Sequence, residues 1–581
     1  MKNFLFLFML VFSCFAVTSC GDSSESCKVY KETIDGIEWK YTRRDNGVEI
    51  LSATVSGDVK IPSELGGLPI TSIGDGAFWG CSSLTSIEIP SSVTTIGNVA
   101  FNSCDNLTSI KIPSSVTSIG VSAFSRCRSL TSIKIPSSVT TIGDNAFSEC
   151  GSLTSIKIPS SVTSIGNNAF FVCGSLTSIE IPSSVTSIGD EAFYSCYSLT
   201  SIKIQYGVKS IGDSAFSRCR SLTSVEIPSS VTSIGDGAFS SCDSLTSIKI
   251  PSSVTSIGDG AFWGCSSLTS IEIPSSVTSI GDGAFSSCDS LTSIKIQYGV
   301  KSIVDSAFLG CDSLTSIKIP SSVTTIGDGA FWGCSSLTSI EIPSSVTSIG
   351  NEAFLGCGDS IYDTTTKPGF KLVDGWVVDC DSDYPMPLNL NGIRGIGYGA
   401  LSGLSYIDVS DDDPKYASQD GVLYSKDMKK LICCPGSKTS CRISSVVTAH
   451  ALITNKRSHS KTSCRIPSSV TTIGDGAFWG CSSLTSIEIP SSVTSIGDGA
   501  FVGCDSLTSI EIPSSVTTIG NEAFSSCYSL TSIEIPSSVR SIGNDAFNGC
   551  HSLTSIKLPR KFVEDKGRLC IDGDVEIIPI D

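Results

Sequence analysis

Residues Cys265–Phe285 read CSSLTSIEIPSSVTSIGDGAF, and near-copies of this stretch begin at Cys81, Cys334 and Cys481. Its cysteine recurs at 81, 104, 127, 150, 173, 196, 219, 242, 265, 288, 311, 334 and 357, and again at 481, 504, 527 and 550, always 23 residues apart within a series. A fixed period of this length is too long for a coiled-coil heptad and too short for paired-helix repeats, but it lies within the range of leucine-rich repeats. The chain is therefore expected to be a solenoid with one continuous core, so its length of 581 residues does not count domains.

One copy, LTSIEIPSSVTTIGNVAFNSCDN from Leu84, gives the local structure. Leu84, Ile87 and Ile89 have the spacing of a short strand, with Ile87 and Ile89 on one face and Ser86 and Glu88 on the other. Pro90 ends the strand because it cannot donate to a ladder. Val93, Ile96, Ala100, Phe101 and Cys104 then return inward at uneven intervals, which suits a turn and an irregular or 3₁₀-like arc better than a helix. A single coil cannot bury its apolar edge, so each must stack on its neighbours about 4.8 Å away. The fold class expected is a right-handed leucine-rich-repeat superhelix with one short parallel strand per coil.

This pattern resembles the BspA-like leucine-rich-repeat proteins, also described as the Treponema-type repeat, with the match running from about Ile61 to Pro559. The lead-in GIEWKYTRRDNGVEIL (36–51) followed by IPSELGGLPITSIGDGAF (61–78) is similar to the segment that opens such arrays. The resemblance implies a surface or secreted repeat protein of bacteria or mucosal protozoa, several of which are adhesins for host matrix proteins or other cells.

The first residues, MKNFLFLFMLVFSCFAVTSCGDSSES, have a lysine, an apolar run and small residues before Cys20, which is the form of a signal peptide. Val17, Thr18, Ser19 and Cys20 resemble a bacterial lipobox, so Cys20 is expected to carry a lipid and anchor the protein at the outer membrane surface; the alternative is secretion after ordinary cleavage. The expected organisation is a signal peptide (1–19), a tether and cap (20–60), a first array (61–357), an irregular insert (358–466), a second array (467–559) and a C-terminal cap (560–581). Within the insert, YASQDGVLYSKDMKKLICCPG (416–436) reads as a strand, turn and strand, Ala400 and Leu401 stand where Ala-Phe is usual, and SKTSCRI occurs at Ser437 and again at Ser460. The segment 437–459 has the length of a coil without its core pattern, as a frame-shifted coil would.

Seventeen of the 26 cysteines occupy the repeat position. Equivalent residues of stacked coils stay about as far apart as strands, ~4.8 Å, beyond the usual Cβ separation of a disulfide. Buried free thiols are therefore expected, and a ladder does not converge on a metal as ligands must.

The formal charge of −17 disfavours nucleic acid as a partner. The position between the two strand isoleucines reads Glu88, Lys111, Lys134, Lys157, Glu180, Lys203, Glu226, Lys249, Glu272, Lys295, Lys318 and Glu341. Neighbouring Lys and Glu there can pair laterally across strands. Lys111, Lys134 and Lys157 break the alternation before Glu180, and the second array shows an acidic strip, Glu488, Glu511 and Glu534. These residues, with Trp263 and Trp332 of the turns after buried Phe, are the candidate contacts for a partner; the other turn aromatics are Trp79, Trp479, Phe171 and Tyr194. No catalytic motif, cofactor motif or metal-spaced histidine pair is present. The function expected is a non-enzymatic cell-surface binding protein, an adhesin for host matrix protein or other cells. The alternatives are a glycan-binding lipoprotein of nutrient capture and a scaffold that binds nothing.

Overall fold

A computed structural model describes residues 28–444 and 463–581. Cys20, the signal segment, His450, His459 and most of the 437–459 coil lie outside the described residues. The chain divides into two compact units, Met1–Val300 and Lys301–Asp581, so the division falls inside the first array. Both are parallel β-solenoids.

Unit 1 begins with a cap. Strands Tyr30–Ile34, Ile37–Arg44 and Gly47–Ala53 pair antiparallel, and Gly47–Ala53 then takes Leu68–Ile73 in parallel, which converts the hairpins into a stack. Trp39 closes the core by packing edge-on against Phe78, ring centroids 6.2 Å apart.

Each coil that follows carries the expected strand, such as Ser132–Lys134, and also a second strand of two residues, such as Thr141–Ile142. Both stack in parallel with partners 23 residues away, as in Lys134↔Lys157 and Ile142↔Ile165. The second strands extend the cap into one sheet of 14 strands ending at Ser279–Ile280. The arc between them is a run of turns closed by bonds of the 3₁₀ type, for example Cys127 N–H to the Phe124 carbonyl at 3.2 Å and Leu130 N–H to the Cys127 carbonyl at 3.0 Å. The arcs also bond to each other: Phe124 N–H donates to the Ala146 carbonyl of the next coil at 2.9 Å. Peptide groups in strands and arcs alike thus find partners in the neighbouring coil, as burial demands.

The residues that face inward are those the spacing names. In one coil Leu130, Ile133, Ile135, Val139, Ile142, Ala146, Phe147 and Cys150 are all buried. The phenylalanines form a column whose successive rings are nearly parallel, 5.3 Å apart at Phe101–Phe124 and 5.5 Å at Phe124–Phe147, and such pairs add about 0.5–1.5 kcal/mol each beyond burial. The cysteines at the repeat position are free, unlike Cys441 of the insert, which is disulfide-bonded, and the thiols of regular coils donate to the Phe carbonyl 26 residues earlier, Cys127 to Phe101 and Cys150 to Phe124 at 3.2 Å. Burial pushes the thiols of Cys150, Cys196 and Cys265 up to about 12. They are core residues with a satisfied hydrogen bond.

A third column stands at the residue after Ile-Gly. The Asp75 carboxylate accepts the Asn98 N–H at 2.7 Å, the Asn98 amide oxygen accepts the Val121 N–H at 2.9 Å, and Asp190, Asp213, Asp236 and Asp259 each accept from the next coil at 2.9 Å. Val121 cannot continue this ladder, and the ladder restarts at Asp144, which accepts from Asn167 at 2.8 Å.

Unit 2 starts with regular coils, strands Ser302–Ile303, Thr325–Ile326 and Ser348–Ile349 stacking in parallel. The insert then folds around its own core of Phe370, Leu372, Val377, Leu401, Leu423 and neighbours, in which Ala400 and Leu401 are buried as the Ala-Phe stand-ins. Its meander, Tyr416–Gln419, Val422–Ser425 and Lys430–Cys433, has one strand more than the sequence reading and ends by pairing in parallel with Thr472–Ile473, which restarts the repeat. In the acidic run at 411–413 Asp413 is buried, and its carboxylate accepts the N–H groups of Lys415 and Tyr416 at 2.8 and 2.9 Å.

The duplicated SKTSCRI segments build two strands, Ser440–Ser444 and Ser463–Pro467, paired in parallel. The earlier copy, not the later, borders Ser486–Ile487. The second array then runs regularly to Ser555–Pro559 and is closed by a 3₁₀ turn and the strand Glu576–Ile580.

Candidate partner-binding surface

The strand face presents Thr, Ser and a charged residue from each coil, because alternation sends the isoleucines inward and these outward. Three lateral ion pairs join neighbouring strands of this face in the first array. Lys111 lies 3.5 Å from Glu88, Lys203 2.9 Å from Glu180 and Lys295 2.7 Å from Glu272. The expected triplet of lysines is thereby reduced to a pair: Lys134 and Lys157 sit in register on adjacent strands, with no ion pair among the described residues. Two unit charges at strand separation repel in water by about 1 kcal/mol, so this pair is the place on the face where an anionic group is most wanted.

Glu180 is held differently from the lysines. Lys203 and the Gln205 amide both donate to its Oε1, at 2.9 and 2.6 Å, and these bonds hold its carboxyl below the usual range. In the second array Glu488, Glu511 and Glu534 stand in register as expected, and Lys557 closes the strip at 2.8 Å from Glu534.

The tryptophans belong to a different surface. Trp79, Trp263 and Trp332 lie in the arc after the buried Phe, and 61%, 48% and 46% of their area stays in contact with solvent. Phe171 and Tyr194 occupy the same position but stack on each other at 5.1 Å, with the Arg218 guanidinium 5.4 Å from the Tyr194 ring. Where two aromatics fall in successive coils they cover one another, and an isolated tryptophan has no such neighbour.

The sequence reading passes over Tyr206 and Tyr298, each 66% exposed and, among the described residues, the most exposed of the large apolar or aromatic side chains. Both lie in IKIQYGVKSI segments (201–210 is SIKIQYGVKS), where Gln-Tyr-Gly replaces Pro-Ser-Ser. That departure from the repeat was the signal that could have found them.

The arrangement offers an extended surface of shallow polar contacts, and among the described residues no group of three or more His, Cys, Asp or Glu is placed to hold a metal ion. No helix among them is long and apolar enough to cross a membrane.

The pattern of the BspA type leucine rich repeat region, in 6 copies, matches residues 58–174, 163–288, 255–371 and 456–566. Among solved structures, a leucine-rich repeat protein from Bacteroides ovatus is 28% identical, covering 95% of this chain and 100% of its own, with a TM-score of 0.34. The leucine rich repeat protein of T. pallidum is 34% identical over 32% of this chain and 87% of its own, with a TM-score of 0.30. One from Eubacterium ventriosum is 28% identical over 57% of this chain and 95% of its own, with a TM-score of 0.36. No curated protein matches the chain. The repeat region covers well over half of the residues, and the chain belongs to the BspA-type leucine-rich-repeat family.

Proposed function

We propose that this protein is a non-enzymatic binding protein of the cell surface, held there by a lipid on Cys20, which uses its strand face to attach to host extracellular-matrix proteins or to other cells. The family supports a protein-binding role, since the solenoid presents a broad surface built from many similar coils whose weak contacts add through effective concentration. The observation that carries the reading is the lysine pair Lys134–Lys157, two like charges in register on adjacent strands with no ion pair among the described residues. An acidic stretch of a partner protein supplies the missing charge. Surface display rests on the apolar leader and the Val-Thr-Ser-Cys stretch that ends at Cys20.

The test is binding of residues 28–581 to immobilised fibronectin and fibrinogen at low and physiological salt. Saturable binding that weakens as salt rises supports the reading, because exposed charge contacts are screened within about 8 Å at physiological ionic strength. Absence of binding to any matrix protein or cell type removes it and leaves a scaffold.

A further inference from the structure

Two places on unit 1 break the repeat in the same way, four coils apart. At the first, Gln205, Tyr206 and Gly207 replace Pro-Ser-Ser; at the second, Gln297, Tyr298 and Gly299 do so. The backbone follows the same path in both, with Gln205 N–H donating to the Ile181 carbonyl and Gln297 N–H to the Ile273 carbonyl, each at 3.0 Å. Glycine is required for that path. A Cβ on Gly207 would stand 2.1 Å from the Ser183 carbonyl oxygen, and one on Gly299 2.3 Å from that of Ser275.

The side chains repeat as closely. Lys203 and Gln205 converge on Glu180 Oε1 at 2.9 and 2.6 Å, and Lys295 and Gln297 converge on Glu272 Oε1 at 2.7 and 2.5 Å. Each cluster thus balances its ionic charge and holds a carboxylate and an amide still. The bonds use only Oε1 of the glutamate and only donors of the glutamine, which leaves Oε2 and the amide oxygen as fixed acceptors and the remaining lysine N–H groups as donors. Beside each cluster is a tyrosine 66% exposed, with no ring contact among the described residues.

We propose that these are two equivalent subsites for one linear, uncharged polysaccharide, with Tyr206 and Tyr298 stacking on sugar rings and the Glu-Lys-Gln clusters bonding their hydroxyls. Charge complementarity selects this occupant: a cluster that has already neutralised itself gains nothing from an ionic ligand, while a sugar hydroxyl can give one hydrogen bond and take another. The pairing selects a polymer. Four coils at strand spacing set the tyrosines about 19 Å apart, so one chain can engage both and the second contact becomes intramolecular. This goes beyond the attachment role above and uses different residues.

Affinity electrophoresis of residues 28–581 through gels containing hydroxyethylcellulose, mannan or dextran tests the proposal. At least one polymer is expected to retard the protein, with no change as salt is raised. Tyr206→Ala or Tyr298→Ala alone should weaken that retardation on the order of 10²-fold through lost avidity, and the double variant should abolish it. The thermal midpoint should not move, since both side chains are exposed. Lys134→Glu should leave glycan binding intact, which separates a failure here from a failure of matrix-protein binding. Migration of the wild type unaffected by all three polymers, or a double variant retarded as strongly as wild type, overturns the proposal. So does a double variant that loses a protein ligand and no glycan.

Discussion

The same aspartate position has two fates. In unit 1, Asp190, Asp213, Asp236 and Asp259 stand on an exposed edge and each caps the backbone of the next coil. In unit 2 the equivalent Asp305 and Asp328 make the same bonds, to Asp328 N–H and Asn351 N–H at 2.7 Å, but they are partly buried. There the carboxylates of Asp305 and Glu522 of the second array act on each other electrostatically. Burial, then the charge of Asp305, pushes the Asp328 carboxyl up to about 7, and burial with Asp305 and Asp328 raises Glu522. A coil is therefore set by its own 23 residues, while the chemistry of its side chains depends on what else the chain brings against it.

The largest effect should come from what the two units share. Phe170→Ala opens a hole in the phenylalanine column of unit 1 and Phe501→Ala does so in unit 2, each expected to lower stability by about 3–5 kcal/mol. Hydrogen exchange should locate the first loss within unit 1 and the second within unit 2, because a repeat array sums interactions between neighbours. Loss spread evenly over both units from either change would break the comparison.

Next comes pH, which should separate them. Asp328 and Glu522 are raised in the folded state, so their contribution is full below the ordinary carboxylate range and is lost as pH rises through about 7. Unit 2 should lose protection progressively between about pH 4 and 8, with a fall in its Tm of about 2–4 °C for each kcal/mol lost, and Glu522→Gln should flatten that dependence. Equal pH dependence in unit 1 would remove the distinction.

The thiols should behave alike in both units. Their high pKa and burial predict that Cys150 and Cys265, like Cys527 of unit 2, react with alkylating reagent at pH 8 only as fast as the coils open. Mass spectrometry after a labelling pulse reads this directly, and rapid labelling of the native ladder would contradict it.

The smallest change expected is a gain. Val121→Asp restores the gap in the unit 1 ladder by giving the Asp144 N–H an acceptor, and about 0.5–1.5 kcal/mol of stabilisation should follow.

Much of this was legible from one coil. The residues from Leu84 to Cys104 named as inward are all buried, because a spacing repeated so many times leaves little choice of which side faces the core. The second strand of two residues was not, since Thr95–Ile96 is defined by bonds to other coils and two residues carry no alternation. Nor was the aspartate ladder, which reads locally as a polar turn residue. The insertion of Ser440–Ser444 beside Ser486–Ile487 depends on which of two identical segments takes the place, and identity of sequence cannot choose. Of the surface, the lysines and glutamates were found by charge, but their pairing was not: Lys111 has a partner, Lys134 and Lys157 have none among the described residues.

That last contrast is the most direct handle on function. Affinity for a matrix protein should be measured for Lys134→Glu/Lys157→Glu beside a control, Lys203→Glu/Lys295→Glu, which reverses the same number of charges at lysines already paired with Glu180 and Glu272. The first variant should lose at least about tenfold in affinity, together with most of the salt dependence, and the control should lose much less. Equal loss in both, or none in the first, would show that the Lys134–Lys157 pair is not what the partner meets.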